Sequence, residues 1–139
     1  MVREIVKDPI LLSMKSTPAN SKHPDDADIS RDLLDTFHAQ PDICVGMAAN
    51  MIGCHKRIIV YTSEGGENIR YNPRIIQCSG PYMVDEGCLC LQGTRKAKRF
   101  AKITVVWQDL HMVEHTNSFS GITAQIIQHE MDHLEGILI

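Results

Sequence analysis

Between Asp25 and Ala39 apolar side chains recur at Ile29, Leu33, Leu34 and Phe37, while Arg31, Asp32 and Asp35 fall between them. That spacing follows the helical period and predicts an amphipathic helix with one buried face. The preceding "HPDD" supplies a proline and acidic residues suited to a helix start. After "QPDICVGMAANMIGCHK", rich in small residues and glycine, the pattern changes, and Arg57–Ser63 reads as a strand. "EGGEN" is a turn signal, so this strand and the segment reaching Tyr71 form a hairpin or a long-looped pair. "RIIQCSGPYMVDEGCLCL" predicts two further short strands, parted at Ser79-Gly80-Pro81. Lys102–Asp109, with its β-branched residues and Trp107, is the strongest strand signal, and "LHMVEHTNSFSG" follows as its antiparallel neighbour. From Ile122 to Glu135 the pattern turns helical again and stops at Gly136, a natural C-terminal cap. The sum is an α+β domain of two main helices and several mostly antiparallel strands, without internal repeats.

Composition narrows the class. With 139 residues, 43% of them hydrophobic, the whole chain (residues 1–139) fits one domain with a real core. The net charge of -3 comes from acids and bases mixed along the chain, which argues against a nucleic-acid-binding face. The one basic cluster, "RKAKRF" from Arg95 to Phe100, reads as a solvated turn or strand edge. No apolar run approaches the roughly 18 residues of a membrane span, and acidic residues interrupt "MVREIVKDPILL" where a signal peptide is apolar. A cytoplasmic protein with no membrane partner is expected. Five cysteines without a C-x-x-C pair argue for individual thiols rather than a disulfide framework.

The chain's last residues, "QHEMDHLEGILI", carry the chemistry. His129 and His133 lie four residues apart on one helix face, where both imidazoles reach one ion, and Glu130 sits near enough to take a proton from a water on that ion. Glu135 reads as an ordinary exposed helix charge, while for Asp132 that reading and a part in the site both stand open. Metalloproteases built on H-E-x-x-H take a third ligand from downstream, but Ile137-Leu138-Ile139 offers none, so the ligand comes from upstream. The candidates are His23, His38, His55, His111, His115, the carboxylates and the five thiols. Cys88, in "DEGCLC", has the most suggestive setting, because a thiolate binds Zn²⁺ or Fe²⁺ strongly and the preceding glycine lets the backbone pass close to a helix. Composition alone leaves the choice open.

"EGCLC" and "QHEMDHLEG" resemble the second and third motifs of the peptide deformylases, E-G-C-L-S and Q-H-E-x-D-H-L-x-G, and "GMAANMIG" resembles the first, G-x-G-L-A-A-x-Q-x-G. The likeness covers nearly the whole chain: "IVKDPILLSMKSTP" is similar to the family's N-terminal strand, "ISRDLLDTFHA" to its first long helix, and "KRIIVY" and "YNPRII" to strands between the motifs. It implies the deformylase fold, with mostly antiparallel strands around a metal-bearing C-terminal helix. It also implies Cys88, His129 and His133 as ligands of Fe²⁺, for which Zn²⁺ or Ni²⁺ substitutes, and Glu130 as the acid–base residue.

The implied reaction removes the N-formyl group from the starting methionine of newly made polypeptides as formate, with formylmethionyl peptides and nascent chains at the ribosome exit as partners. The oxyanion donors the family implies are the backbone N–H of Leu89 and a side-chain amide at the position of Met51. A thioether cannot donate a hydrogen bond; Asn50, one position earlier, either substitutes its amide after a backbone adjustment or is an ordinary loop residue. Cys44 stands at the first motif's first glycine, Cys90 at the second motif's serine, and Gln92 where proline is usual. Val45, Gly46, Gly87 and Leu89 are expected to line the substrate pocket, and Glu86 and Arg99 to pair with a structural role. Beside the deformylase reading stand two others: a deformylase-like metal-binding protein that binds formyl peptides with weak or no turnover, and, least favoured, a general metalloprotease.

Overall fold

The computed structural model describes residues 1–41, 44–63 and 65–139. Its first regular element is a single helical turn, Pro9–Leu12 (α1). The likeness to an N-terminal strand fails here for a local reason. The Asp8 carboxylate accepts the Ile10 N–H at 2.9 Å, and Pro9 occupies the first helical position with its φ already suited to a helix. The flanking chain meets the body through the Val6 N–H on the Met51 carbonyl, at 2.8 Å, and one parallel bridge, Thr17 to Lys56. The next helix, Pro24–His38 (α2), starts one residue before the predicted position, with Asp25 and Asp26 at its positive end. Its inner face buries Leu33 and Phe37.

Five antiparallel strands follow in simple sequence order: Gly46–Ala48 (β1), Ile58–Ser63 (β2), Gly66–Cys88 (β3), Leu91–Gln108 (β4) and Glu114–Ser120 (β5). A 3₁₀ turn, Ala49–Ile52, joins β1 to β2, and the sheet leads directly into the last helix, Gly121–Leu134 (α3). Where the sequence predicts two short strands parted at Ser79-Gly80-Pro81, β3 runs unbroken as one long strand. Pro81 is tolerated because β2 pairs with β3 only over Gly66–Tyr71, so at Pro81 the edge away from β4 has no strand partner among the described residues. Gly80 turns the strand with φ 71°, and a Cβ there would sit 3.0 Å from the Ala101 Cβ. The predicted Lys102–Asp109 strand likewise forms only the second half of β4. Its first half contains Arg95–Phe100, paired with β3 but not β5, so the basic cluster is a strand edge; Lys96 and Lys98 face solvent and Arg99 turns inward.

The core lies between the sheet and the helices. Ala124, Ile127, Met131 and Leu134 of α3 join Ile58–Tyr61, Ile103 and Val105 of the sheet and Leu33 and Phe37 of α2. Each such aliphatic side chain contributes roughly 1.5–3 kcal/mol when fully buried. That burial fixes α3 firmly enough to bury polar side chains too: Gln128, Glu130 and His133 are all at most 5% exposed. Gln128 is satisfied by the Phe100 backbone, donating at 2.9 Å and accepting at 2.8 Å. Glu130 and His133 are not so provided for.

Candidate metal centre

Cys88 ends β3, where a bulge at Gly87/Cys88 closes the β3–β4 hairpin, and β4 resumes at Leu91. The bulge aims the thiol at α3, whose His129 and His133 stand one turn apart. Cys88 Sγ lies 3.2 Å from His133 Nε2, which lies 3.2 Å from His129 Nε2, and all three atoms fall within 4.8 Å of one another. A tetrahedral ion with metal–sulfur and metal–nitrogen bonds of ~2.3 and ~2.05 Å needs S···N and N···N separations of about 3.5 and 3.3 Å. The trio therefore fits a divalent cation with little adjustment. Among the described residues no other Cys, His, Asp and Glu side chains converge in this way. Three of the alternative histidines are engaged elsewhere, His38 with Glu67, His55 with the Leu11 carbonyl and His115 with Asp109. All five cysteines are free thiols.

Electrostatics reinforce the fit. A hydrogen bond from the buried Cys90 thiol, helped by His129 and His133, outweighs burial and brings the Cys88 thiol down to about 2. That environment favours the Cys88 thiolate, the form that binds metal. Burial alone lowers His129, but its bonds to Cys88 and Glu86 win and raise it to about 10, so a proton holds the place a cation would compete for. His129 Nδ1 donates to Glu86 Oε1 at 2.7 Å, which fixes the ring with Nε2 towards Cys88. Burial pushes Glu86 up, yet His129 and Arg99 together hold it down to about 2. Arg99, 3% exposed, reaches Glu86 Oε1 at 2.7 Å and Asp132 at 2.6 Å, so the interior Glu86–Arg99 pair extends to Asp132, whose place the sequence left open. Glu135 does sit on the surface, paired with Arg57.

Glu130 borders the trio on α3. Burial is the main reason its carboxyl is raised to about 7, and its Oε1 has no hydrogen-bond partner among the described residues. An acid–base group at that value exchanges protons readily at neutral pH. Its other oxygen occupies a notch that only glycine allows: a Cβ on Gly46 would lie 2.7 Å from Glu130 Oε2. Beside these groups opens a cavity of about 470 Å³, lined among others by Val45, Gly46, Met51, Gly87 and Leu89. The structure thus brings every sequence-predicted site residue to one place. It adds Ile122, Gln125 and Ile126, which follow from the same helical spacing one and two turns before His129.

The profile of the family described as polypeptide deformylase matches residues 2–139. The chain belongs to that family. A peptide deformylase from Clostridium beijerinckii is 45% identical over 139 residues, covering all of both chains. Among solved structures, the deformylase of a Vibrio parahaemolyticus bacteriophage in complex with actinonin is 32% identical with a TM-score of 0.85, covering 98% of this chain and 99% of that one. A class I type b deformylase from Acinetobacter baumannii, bound to Met-Ala-Ser, is 27% identical with a TM-score of 0.84, covering 99% and 97%. The chain is accordingly a deformylase, a metalloenzyme that hydrolyses the N-formyl group of formylmethionyl peptides. No helix among the described residues is long and apolar enough to cross a membrane.

Within that deformylase pocket the side formed by the first motif stands out. Met51, 1% exposed, accepts the Ala48 N–H on its sulfur at 3.3 Å. Asn50 does not supply the missing amide, because its Nδ2 donates 2.8 Å to the His133 carbonyl and the side chain is fully buried. It ties the 3₁₀ turn to the end of α3 instead. Leu89, at the hairpin tip, remains beside the cavity.

Proposed function

We propose that Cys88, His129 and His133 hold Fe²⁺, with Zn²⁺ or Ni²⁺ able to substitute, and that Glu130 carries the proton transfers of deformylation. The convergence of one thiolate and two imidazole nitrogens beside a buried carboxyl supports this reading most directly. When bound, the cation supplies Lewis-acid polarisation and lowers the pKa of water towards ~7. Glu130 takes the proton of the attacking water at its carboxylate and delivers it to the departing amine. The Leu89 backbone N–H donates to the formyl oxygen as charge develops there. Val45, Gly46, Gly87 and Leu89 border the space for the formyl group and the first residue, and the crowding around Gly46 favours an acyl carbon that bears only hydrogen. A newly made formylmethionyl chain as substrate supports action in the cytoplasm, on nascent chains as they leave the ribosome.

Met51 favours a second reading of rate rather than of class. With its sulfur turned to Ala48 and Asn50 spent on His133, one oxyanion donor is missing, which costs ~10²–10³ in turnover relative to an amide at that position. At the extreme the chain binds formyl peptides with little turnover. Anaerobically purified, Fe²⁺-loaded protein should release formate from formyl-Met-Ala-Ser with one metal per chain. Substoichiometric metal in a folded protein, or unchanged metal content after Cys88→Ala, would refute the ligand assignment.

A further inference from the structure

We propose that Gln125 is a positioning residue that locks the Glu86 carboxylate, and through it the ring of His129, from within the wall of the substrate cavity. The inference rests on the metal-site reading above and extends it to a residue outside the three motifs. Gln125 and His129 are one helical turn apart on α3, and both donate to the same carboxylate. His129 Nδ1 takes Oε1 at 2.7 Å and Gln125 Nε2 takes Oε2 at 2.9 Å. Only this orientation of the Gln125 amide places a donor against an acceptor-only carboxylate, and its oxygen then lies 3.4 Å from the Tyr82 hydroxyl.

Arg99 explains why this third contact matters. Its Nη2 binds Oε1 at 2.7 Å and its Nε binds Oε2 at 3.0 Å, so Arg99 grips both oxygens from one side only. His129 pulls on Oε1 alone. Gln125, on the other oxygen, opposes rotation of the carboxylate and keeps Oε1 in line with Nδ1. Gln125 is only half-buried and lines the cavity beside Ile122 and Ile126, so a side chain entering there touches the group that sets the ring.

The test replaces Gln125 by methionine, which keeps an unbranched side chain of similar length and deletes the donor. Cobalt-loaded parent and variant are compared by visible absorption, by the rate of metal release to a chelator, and by kcat and KM on formyl-Met-Ala-Ser. Loss of a partner outside the ligand set typically costs 10–100-fold in metal affinity or activity, and Gln125→Met should show about tenfold faster metal release and about tenfold lower kcat. KM should be unchanged or lower, because the cavity wall becomes more apolar, and the cobalt bands should shift. Gln125→Leu repeats the test with a different apolar shape. Release rate, spectrum and kcat all equal to the parent's in both variants overturn the proposal. A parent without a thiolate-to-cobalt charge-transfer band overturns the metal-site reading itself, and this one with it.

Discussion

Replacing Gly46 with alanine isolates the contribution of Glu130 placement from that of metal binding. Gly46 is not among the residues at positive φ, so alanine fits its backbone and any effect comes from the added methyl. That Cβ would stand 2.7 Å from Glu130 Oε2, 3.1 Å from its Cγ and 3.0 Å from Ile126 Cγ2. Ordinary contacts lie near ~3.5 Å, so the carboxylate must retreat by roughly 0.8 Å. It has little room: Glu130 is 4% exposed on a helix packed on nearly every side. Overpacking of this kind costs about 1–3 kcal/mol of stability, and a displacement near 1 Å at a reacting group costs about 10²-fold in rate. Gly46→Ala should therefore fold, bind one metal per chain, and lose about 10²-fold in kcat on formyl-Met-Ala-Ser. Formate release, metal analysis and thermal unfolding on one preparation separate these effects. A variant that is folded and metal-loaded yet retains kcat within threefold of the parent refutes the assigned role of Glu130 or its dependence on the glycine notch.

Met51→Gln should raise kcat by ~10²–10³ with little change in metal content, and an unchanged kcat shows that the oxyanion is already fully served. Glu86 is held at about 2, below its ordinary value of 4.5, so its contribution to stability is present above pH 4.5 and fades as pH falls towards 2. Thermal unfolding of Glu86→Gln should therefore fall furthest below the parent near neutral pH and converge with it below pH 4, and a constant gap from pH 3 to 7 counts against the ion-pair account. Free Zn²⁺ at about a hundred times its Kd should stabilise the metal-free protein by ~2.7 kcal/mol in thermal unfolding, and Cys88→Ala should abolish most of that gain.

Both long helices were legible because periodicity and caps act locally: α2 and α3 begin and end within one residue of where Pro24, the apolar spacing and Gly136 place them. The β3–β4 ribbon was less legible. Ser79-Gly80-Pro81 carries every local mark of a break, but the requirement a proline imposes depends on whether a neighbouring strand needs its N–H, and that is tertiary information. The N-terminal segment shows the converse, since Asp8 and Pro9 wrote a helical turn into a stretch whose likeness suggested a strand. At the site, the histidine pair followed from spacing, while Cys88 stood out by its setting and was chosen only through resemblance, because its partners His129 and His133 lie 41 and 45 residues away (129 − 88 and 133 − 88). Asn50 misled for the same reason: an amide in a loop gives no hint that it will be claimed by the carbonyl of His133. Gln125 bore the signal of helical spacing but nothing to distinguish it from a surface glutamine.

The Glu86–Arg99–Asp132 chain joins strand β3 to helix α3 through side chains alone, at 2.7 and 2.6 Å, with Arg99 buried between them. It acts as a strut that does not depend on the ion. The ribbon carrying Cys88 and the helix carrying His129 and His133 are thus held in register by protein side chains as well as by whatever the three donors hold. Under the proposed ligand set, stripping the metal should leave the two elements docked, and a second metal should enter the same frame.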